Sequence, residues 1–116
     1  MTELHAAPRD IEAIDKVARE FREAFGGDPE GVFSAPGRVN IIGEHVDYQQ
    51  GLCVPMAISH RCFVAARRTD ASVVRMRSVQ SGETVEAPVA TLAPGSVEGW
   101  ASYVAGVVWA LSLIHI

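Results

Sequence analysis

Lysine is almost missing from this chain. Its 116 residues hold 10 basic side chains against 14 acidic ones, for a net charge of −4, and Lys16 is the single lysine. Such a balance provides no basic face for a phosphate backbone, which argues against a nucleic-acid partner. It also leaves no polybasic patch for an anionic membrane surface. Cysteine is scarce: Cys53 and Cys62 stand in apolar, strand-like surroundings without metal or redox spacing. They read as two buried free thiols of a reducing, cytoplasmic protein, with a bridge between them as the alternative. No apolar run reaches the roughly 20 residues of a membrane helix. Residues 1–15 alternate polar and apolar types, unlike a signal peptide.

Several motifs are absent as well. A Walker-type phosphate loop needs Gly-Lys-Ser/Thr, and the one lysine falls in a helical pattern instead. Gly-x-Gly-x-x-Gly and His-Glu-x-x-His do not occur. Cys53 sits in an apolar run, without the electropositive setting that makes a thiolate nucleophile.

What is present begins with Ile11, Ile14, Val17, Ala18, Phe21 and Phe25, spaced for a helix over residues 10–25. Asp10 is the expected N-cap, and Gly26 and Gly27 the stop. A strand is expected over 32–35, interrupted at Pro36 and Gly37, with a further short one over 39–42. Residues 52–58 are apolar, and a second strand is expected over 61–67. Residues 73–79 alternate, with Val74, Met76 and Ser78 on one side; Ser81 and Gly82 turn the chain back as 83–89. After a loop over 92–98, a helix starts at Gly99. Trp100, Tyr103, Val104, Val107, Val108 and Leu111 would form its buried stripe. The order predicts an α+β layer with helices on one face of a sheet. The chain closes on LSLIHI, apolar and uncapped, so residues 112–116 read as a truncated end that need not be native.

The densest chemistry lies in SAPGRVNIIGEHVDYQQG, residues 34–51. Glu44 and Asp47 are acceptor-only groups that can each take two hydroxyl hydrogen bonds, and His45 can donate and accept. A polyhydroxylated ligand demands that mix, because each buried hydroxyl must find a partner. Gly43 and Gly51 permit sharp turns or close backbone approach. A strand over 39–42 would carry Arg38 towards the same cavity, where a guanidinium can offset charge on a phosphoryl group in transfer. Other readings fit the same residues: a solvated loop, a metal site made of Glu44, His45 and Asp47, or an ordinary turn with Arg38 salt-bridged to Glu44.

Residues 34–58, SAPGRVNIIGEHVDYQQGLCVPMAI, resemble the galactokinase signature without a gap. Related homoserine, mevalonate and phosphomevalonate kinases keep a shorter Pro-Gly-(Arg/Lys)-x-x-(Leu/Ile)-x-Gly-Glu-His core; Asp47, Tyr48 and Gly51 favour the galactokinase branch. GWASYVAGVV, residues 99–108, is similar to that family's Trp-Ala-x-Tyr-Val-x-Gly-Val helix.

The resemblance covers most of residues 10–111. It implies that residues 1–111 are the N-terminal portion of the superfamily's kinase domain. That domain has the ribosomal protein S5 domain 2-like fold, here incomplete, with a mixed or antiparallel sheet. It implies ATP-dependent phosphorylation of galactose at its anomeric hydroxyl, with Mg2+, in the cytoplasm. Arg38 would stabilise the transition state. Glu44, His45, Val46 and Asp47 would form the sugar site, Asp47 helping to tell galactose from glucose. Ser78 and Trp100 would contact the nucleotide, Trp100 having a second reading as a core anchor.

The family's phosphate loop, catalytic aspartate and magnesium-binding residues lie downstream of the Trp100 helix and outside these residues. The chain alone is therefore expected to be inactive, and its unpaired strand edge and apolar face to make it poorly soluble. A galactose-sensing regulator without kinase activity and an N-acetylgalactosamine kinase are the alternative functions.

Overall fold

The computed structural model describes residues 10–114. Expectations placed on residues 1–9 and 115–116 lie outside the described residues. The chain divides into two units, Met1–Arg67 and Arg68–Ile116. It is α+β, as expected. The four strands among the described residues pair as two antiparallel two-stranded sheets, one in each unit, where a single sheet was expected, and none of these pairs is parallel.

In the first unit, α1 spans Asp10–Phe25, with Asp10 and Glu12 in its first turn and Arg22 in its last. Both placements complement the helix dipole. Asp10, the first of the described residues, is already helical rather than the expected cap. Gly26 and Gly27 both take φ of 69° and stop the helix, the Gly26 N–H donating to the Arg22 carbonyl at 3.0 Å.

Arg67, just past the far end of the hairpin, fixes this corner. Its Nη1 donates to the Gly26 carbonyl at 2.7 Å and more loosely to that of Asp28 at 3.4 Å, and its Nη2 reaches the Phe25 carbonyl at 3.5 Å. The same guanidinium lies 5.3 Å from the Phe21 ring centre. A Cβ on Gly27 would come within 2.9 Å of Nη1, so the glycine leaves room for the clamp.

Strand β1, Gly31–Ile42, pairs with β2, Val54–Ala66, from Gly31↔Ala66 to Ile42↔Val54. The break expected at Pro36 and Gly37 does not occur, and 52–58 and 61–67 contribute to one strand. A two-stranded ladder leaves one edge of each strand unpaired, so a proline without an N–H is accommodated there. The irregularity is taken up instead by two register shifts, between Pro36 and Arg38 and between Asn40 and Ile42.

In the second unit, β3, Val73–Arg77, pairs with β4, Thr84–Pro88. Met76 of β3, Ala87 of β4 and Ala101 beyond them form the buried core, with Val74, Val85, Leu92, Val97 and Trp100 packed against them.

Helix α2 runs Ala101–Ile114, and its buried residues are Ala101 and Ala105. The expected stripe is not buried: Tyr103 is 82% exposed and Val107 60%, while Trp100 and Val108 are half-buried. The helix is apolar almost all round, so periodicity selects no face. Small side chains are the ones that let it approach a two-stranded sheet closely.

Both cysteines are free, Cys53 half-buried and Cys62 exposed on β2, so neither is the buried thiol expected. Among the described residues no helix is long and apolar enough to cross a membrane.

Candidate sugar-binding loop

The loop between β1 and β2 holds the Glu-His-Val-Asp cluster, and its shape follows from its glycines. Gly43 has φ of 95°, and a Cβ there would sit 2.6 Å from the Leu52 carbonyl oxygen and 2.7 Å from Cys53 Cα. Only glycine lets the two ends of the loop come that close.

Val46 closes the inside of the loop. Its carbonyl accepts from the Gln49 N–H at 3.0 Å and the Gly51 N–H at 2.8 Å, bracketing a 3-10 turn over Asp47–Gln49. A Cβ on Gly51 would fall 2.6 Å from Val46 Cβ. Val46 therefore shapes the loop through its backbone and packing, neither of which requires a polar side chain.

His45 and Gln50 are the non-glycine residues with positive φ among those described, at 55° and 61°. Left-handed backbone at such residues costs on the order of 1 kcal/mol each and is found at binding sites held by their surroundings. The His45 ring meets the Tyr48 ring edge-on, 6.1 Å between centres. Glu44 and His45 are exposed. Glu44 makes no hydrogen bond or ion pair among the described residues, so its acceptor oxygens stay open to hydroxyl donors. The side chain of Asp47 lies outside the described ones.

Arg38 sits on β1 opposite Ala57, four residues before the strand ends. It is exposed and has no hydrogen-bond or ion-pair partner among the described residues, so the salt bridge to Glu44 is not formed. The fold thus brings Glu44, His45, Val46 and Asp47 into one loop and sets Arg38 on the strand that feeds it.

Ser78 and Trp100 belong to the second unit, where both are tied to the β3–β4 turn. The Ser78 hydroxyl accepts from the Ser81 N–H at 3.2 Å, and the Ser78 N–H donates to the Glu83 carbonyl at 3.0 Å. The Trp100 indole N–H donates to the Glu83 carboxylate at 2.8 Å. Glu83 is the residue the sequence reading missed. It sits just after a turn, where an acid is unremarkable, and its partner is 17 positions away.

A separate open cleft of about 280 Å3, lined by Leu92, Val97, Ala105 and Trp109 among others, contains none of the expected site residues.

Residues 19–68, which take in the last part of α1, both strands of the first hairpin and the loop between them, match the family described as the galactokinase galactose-binding signature. By this match the segment is one of a sugar-kinase family. A galactokinase of Streptomyces coelicolor is 48% identical over 96 residues, covering 82% of this chain and 25% of that protein. Those of Canis lupus familiaris and Homo sapiens are 41% and 38% identical over 109 residues, covering 87% of this chain and 28% of each protein. The chain belongs to the galactokinase family, as a segment of its N-terminal part. It spans about a quarter of the length of the curated relatives it matches.

Proposed function

We propose that this chain is the sugar-holding part of an enzyme that phosphorylates galactose at its anomeric hydroxyl with ATP, giving galactose 1-phosphate and ADP. The observation that carries this reading is the loop over residues 43–51. Gly43, Gly51 and the Val46 carbonyl lock its backbone while Glu44 and His45 stay exposed. Glu44, His45 and Asp47 hold the sugar hydroxyls, and Val46 sets the turn that presents them.

In the reaction the anomeric oxygen forms a bond to the γ-phosphorus. The bond from that phosphorus to the β,γ-bridging oxygen breaks, ADP leaves with the electron pair, and the hydroxyl proton passes to a base. Arg38 offsets the negative charge that builds up on the transferring group, a contribution usually worth a hundredfold or more, roughly, in rate.

Ser78 and Trp100 are the nucleotide contacts within this chain. The indole N–H is committed to Glu83 and the Ser78 hydroxyl already accepts from Ser81. Stacking on the ring is therefore how Trp100 would meet a base. Among the described residues no three His, Cys, Asp or Glu side chains come together as a metal-binding group. Mg2+, the phosphate loop and the catalytic base are assigned in this reading to the rest of the enzyme, and residues 1–111 to part of one kinase domain in a cytoplasmic protein.

The test is formation of galactose 1-phosphate from galactose and ATP, by the full-length enzyme and by the 116-residue chain separately. The full-length enzyme is expected to form product and the chain none. A full-length protein that binds both ligands without turnover would replace this reading with that of a galactose sensor, and a preference for N-acetylgalactosamine would reassign the substrate.

A further inference from the structure

Arg38 is a flexible side chain with nothing to hold it. It is exposed, and among the described residues it has neither a hydrogen bond nor an ion pair. What the fold sets is the backbone from which it starts, and that backbone is irregular on both sides of it. Between Pro36 and Arg38 stands one residue, Gly37, whereas between their partners Arg61 and Ala57 stand Ile58, Ser59 and His60. Beyond Arg38, Ile41 is inserted between Asn40 and Ile42 while their partners Pro55 and Val54 are adjacent. Between these two irregularities Arg38, Val39 and Asn40 pair regularly, opposite Ala57, Met56 and Pro55. Bulges bend a strand and re-aim the side chains beside them.

The bulge before Arg38 is also braced. A Cβ on Gly37 would lie 3.1 Å from Ile58 Cδ1 and 3.3 Å from the His60 carbonyl oxygen, so the bulged residues are pressed directly against the glycine. On its outer side, Nε and Nη2 of Arg61 both donate to the Ser34 hydroxyl, at 3.1 and 2.9 Å. The guanidinium staples the two strands where the bulge begins.

From this we infer that the β2 bulge over residues 58–60, seated on Gly37 and stapled by Arg61 to Ser34, is the device that aims Arg38. Gly37, Arg61 and Ser34 are positioning residues for the phosphoryl transfer. They touch neither substrate and act through Arg38. The inference rests on the reading of Arg38 given above.

Steady-state kinetics of the full-length enzyme test it. A displacement of about 1 Å at a reacting group can cost a hundredfold. The few tenths of an ångström forced by Gly37→Ala are expected to lower kcat about tenfold and leave the KM for ATP unchanged. Arg61→Met, which keeps the stem and removes the staple, is expected to lower kcat about threefold by the same displacement argument.

The deciding readout is the double variant. With Arg38 already replaced by alanine, neither change should lower kcat further, because residues that act as a unit are not additive. Losses that multiply with that of Arg38→Ala would overturn the inference while leaving Arg38 in its role. An Arg38→Ala enzyme with full kcat would overturn both. Should Gly37→Ala fail to fold, Arg61→Met carries the same cycle, and an unchanged kcat in that variant counts against the inference.

Discussion

The two hairpins of this chain stand in contrast. The first has strands of 12 and 13 residues and carries the candidate sugar loop; the second has strands of five residues each. Yet the buried side chains Met76, Ala87, Ala101 and Ala105 all lie in the second unit. Among the described residues of the first unit none is buried, and Phe33, Ile41, Ile42, Leu52, Val54, Met56 and Val64 of its hairpin are exposed.

The longer hairpin is thus ordered by its backbone ladder, by glycine contacts at 37, 43 and 51, and by the Arg61 and Arg67 clamps. The shorter is ordered by burial. The loop proposed to hold the sugar sits on the first kind of scaffold, in the part with the smaller reserve of buried surface. Exposed apolar residues beside such a loop also give this hairpin a tendency to self-associate.

Substitutions can break this contrast. The largest effect is expected from Met76→Ala, which empties the centre of a very small core and should cost about 3 kcal/mol. Amide exchange should accelerate over residues 73–88 and stay unchanged over 31–66; equal acceleration in both would mean that the first hairpin depends on that core.

Gly43→Ala should cost about 2 kcal/mol, from an unfavourable φ and a clash with the Leu52 carbonyl. Its loss should be confined to residues 43–53, and a neutral result in denaturant melts would mean that the loop is not locked as described. Arg67→Ala should cost about 1.5 kcal/mol through the lost carbonyl bonds and ring contact. Arg67→Lys should recover only part of it, since an ammonium cannot reproduce the fork. The smallest effect is expected for the Arg22–Asp28 pair, 2.6 Å apart but with side chains 52% and 78% exposed. A double-mutant cycle should give under about 0.5 kcal/mol, falling with added salt.

Where a residue's consequence is local, the sequence was readable. The Gly26–Gly27 stop placed the end of α1, and Ser81 with Gly82 placed the β3–β4 turn. Where the consequence depends on what a segment packs against, it was not. Pro36 and Gly37 looked like a break because their local preference is for turns, but a free strand edge and a bulge across the ladder absorb them. The stripe of α2 was misjudged because almost every face of that helix is apolar, leaving the sheet to select Ala101 and Ala105 by size.

The same division holds for the candidate site. Glu44, His45 and Asp47 were legible as neighbours in one loop, and their hold on a sugar is the proposal made above. Pairings across long separations, Trp100 with Glu83 and Arg61 with Ser34, had no sequence signal because the fold alone creates them.

The most direct measurement is the pair of Michaelis constants of the full-length enzyme carrying Glu44→Ala, with galactose and ATP varied in turn. If residues 43–51 hold the sugar, the KM for galactose rises about a hundredfold, as expected for losing a charged partner to buried hydroxyls, and that for ATP stays where it was. A KM for ATP that rises while that for galactose holds, or neither moving, would contradict the assignment of this loop to galactose.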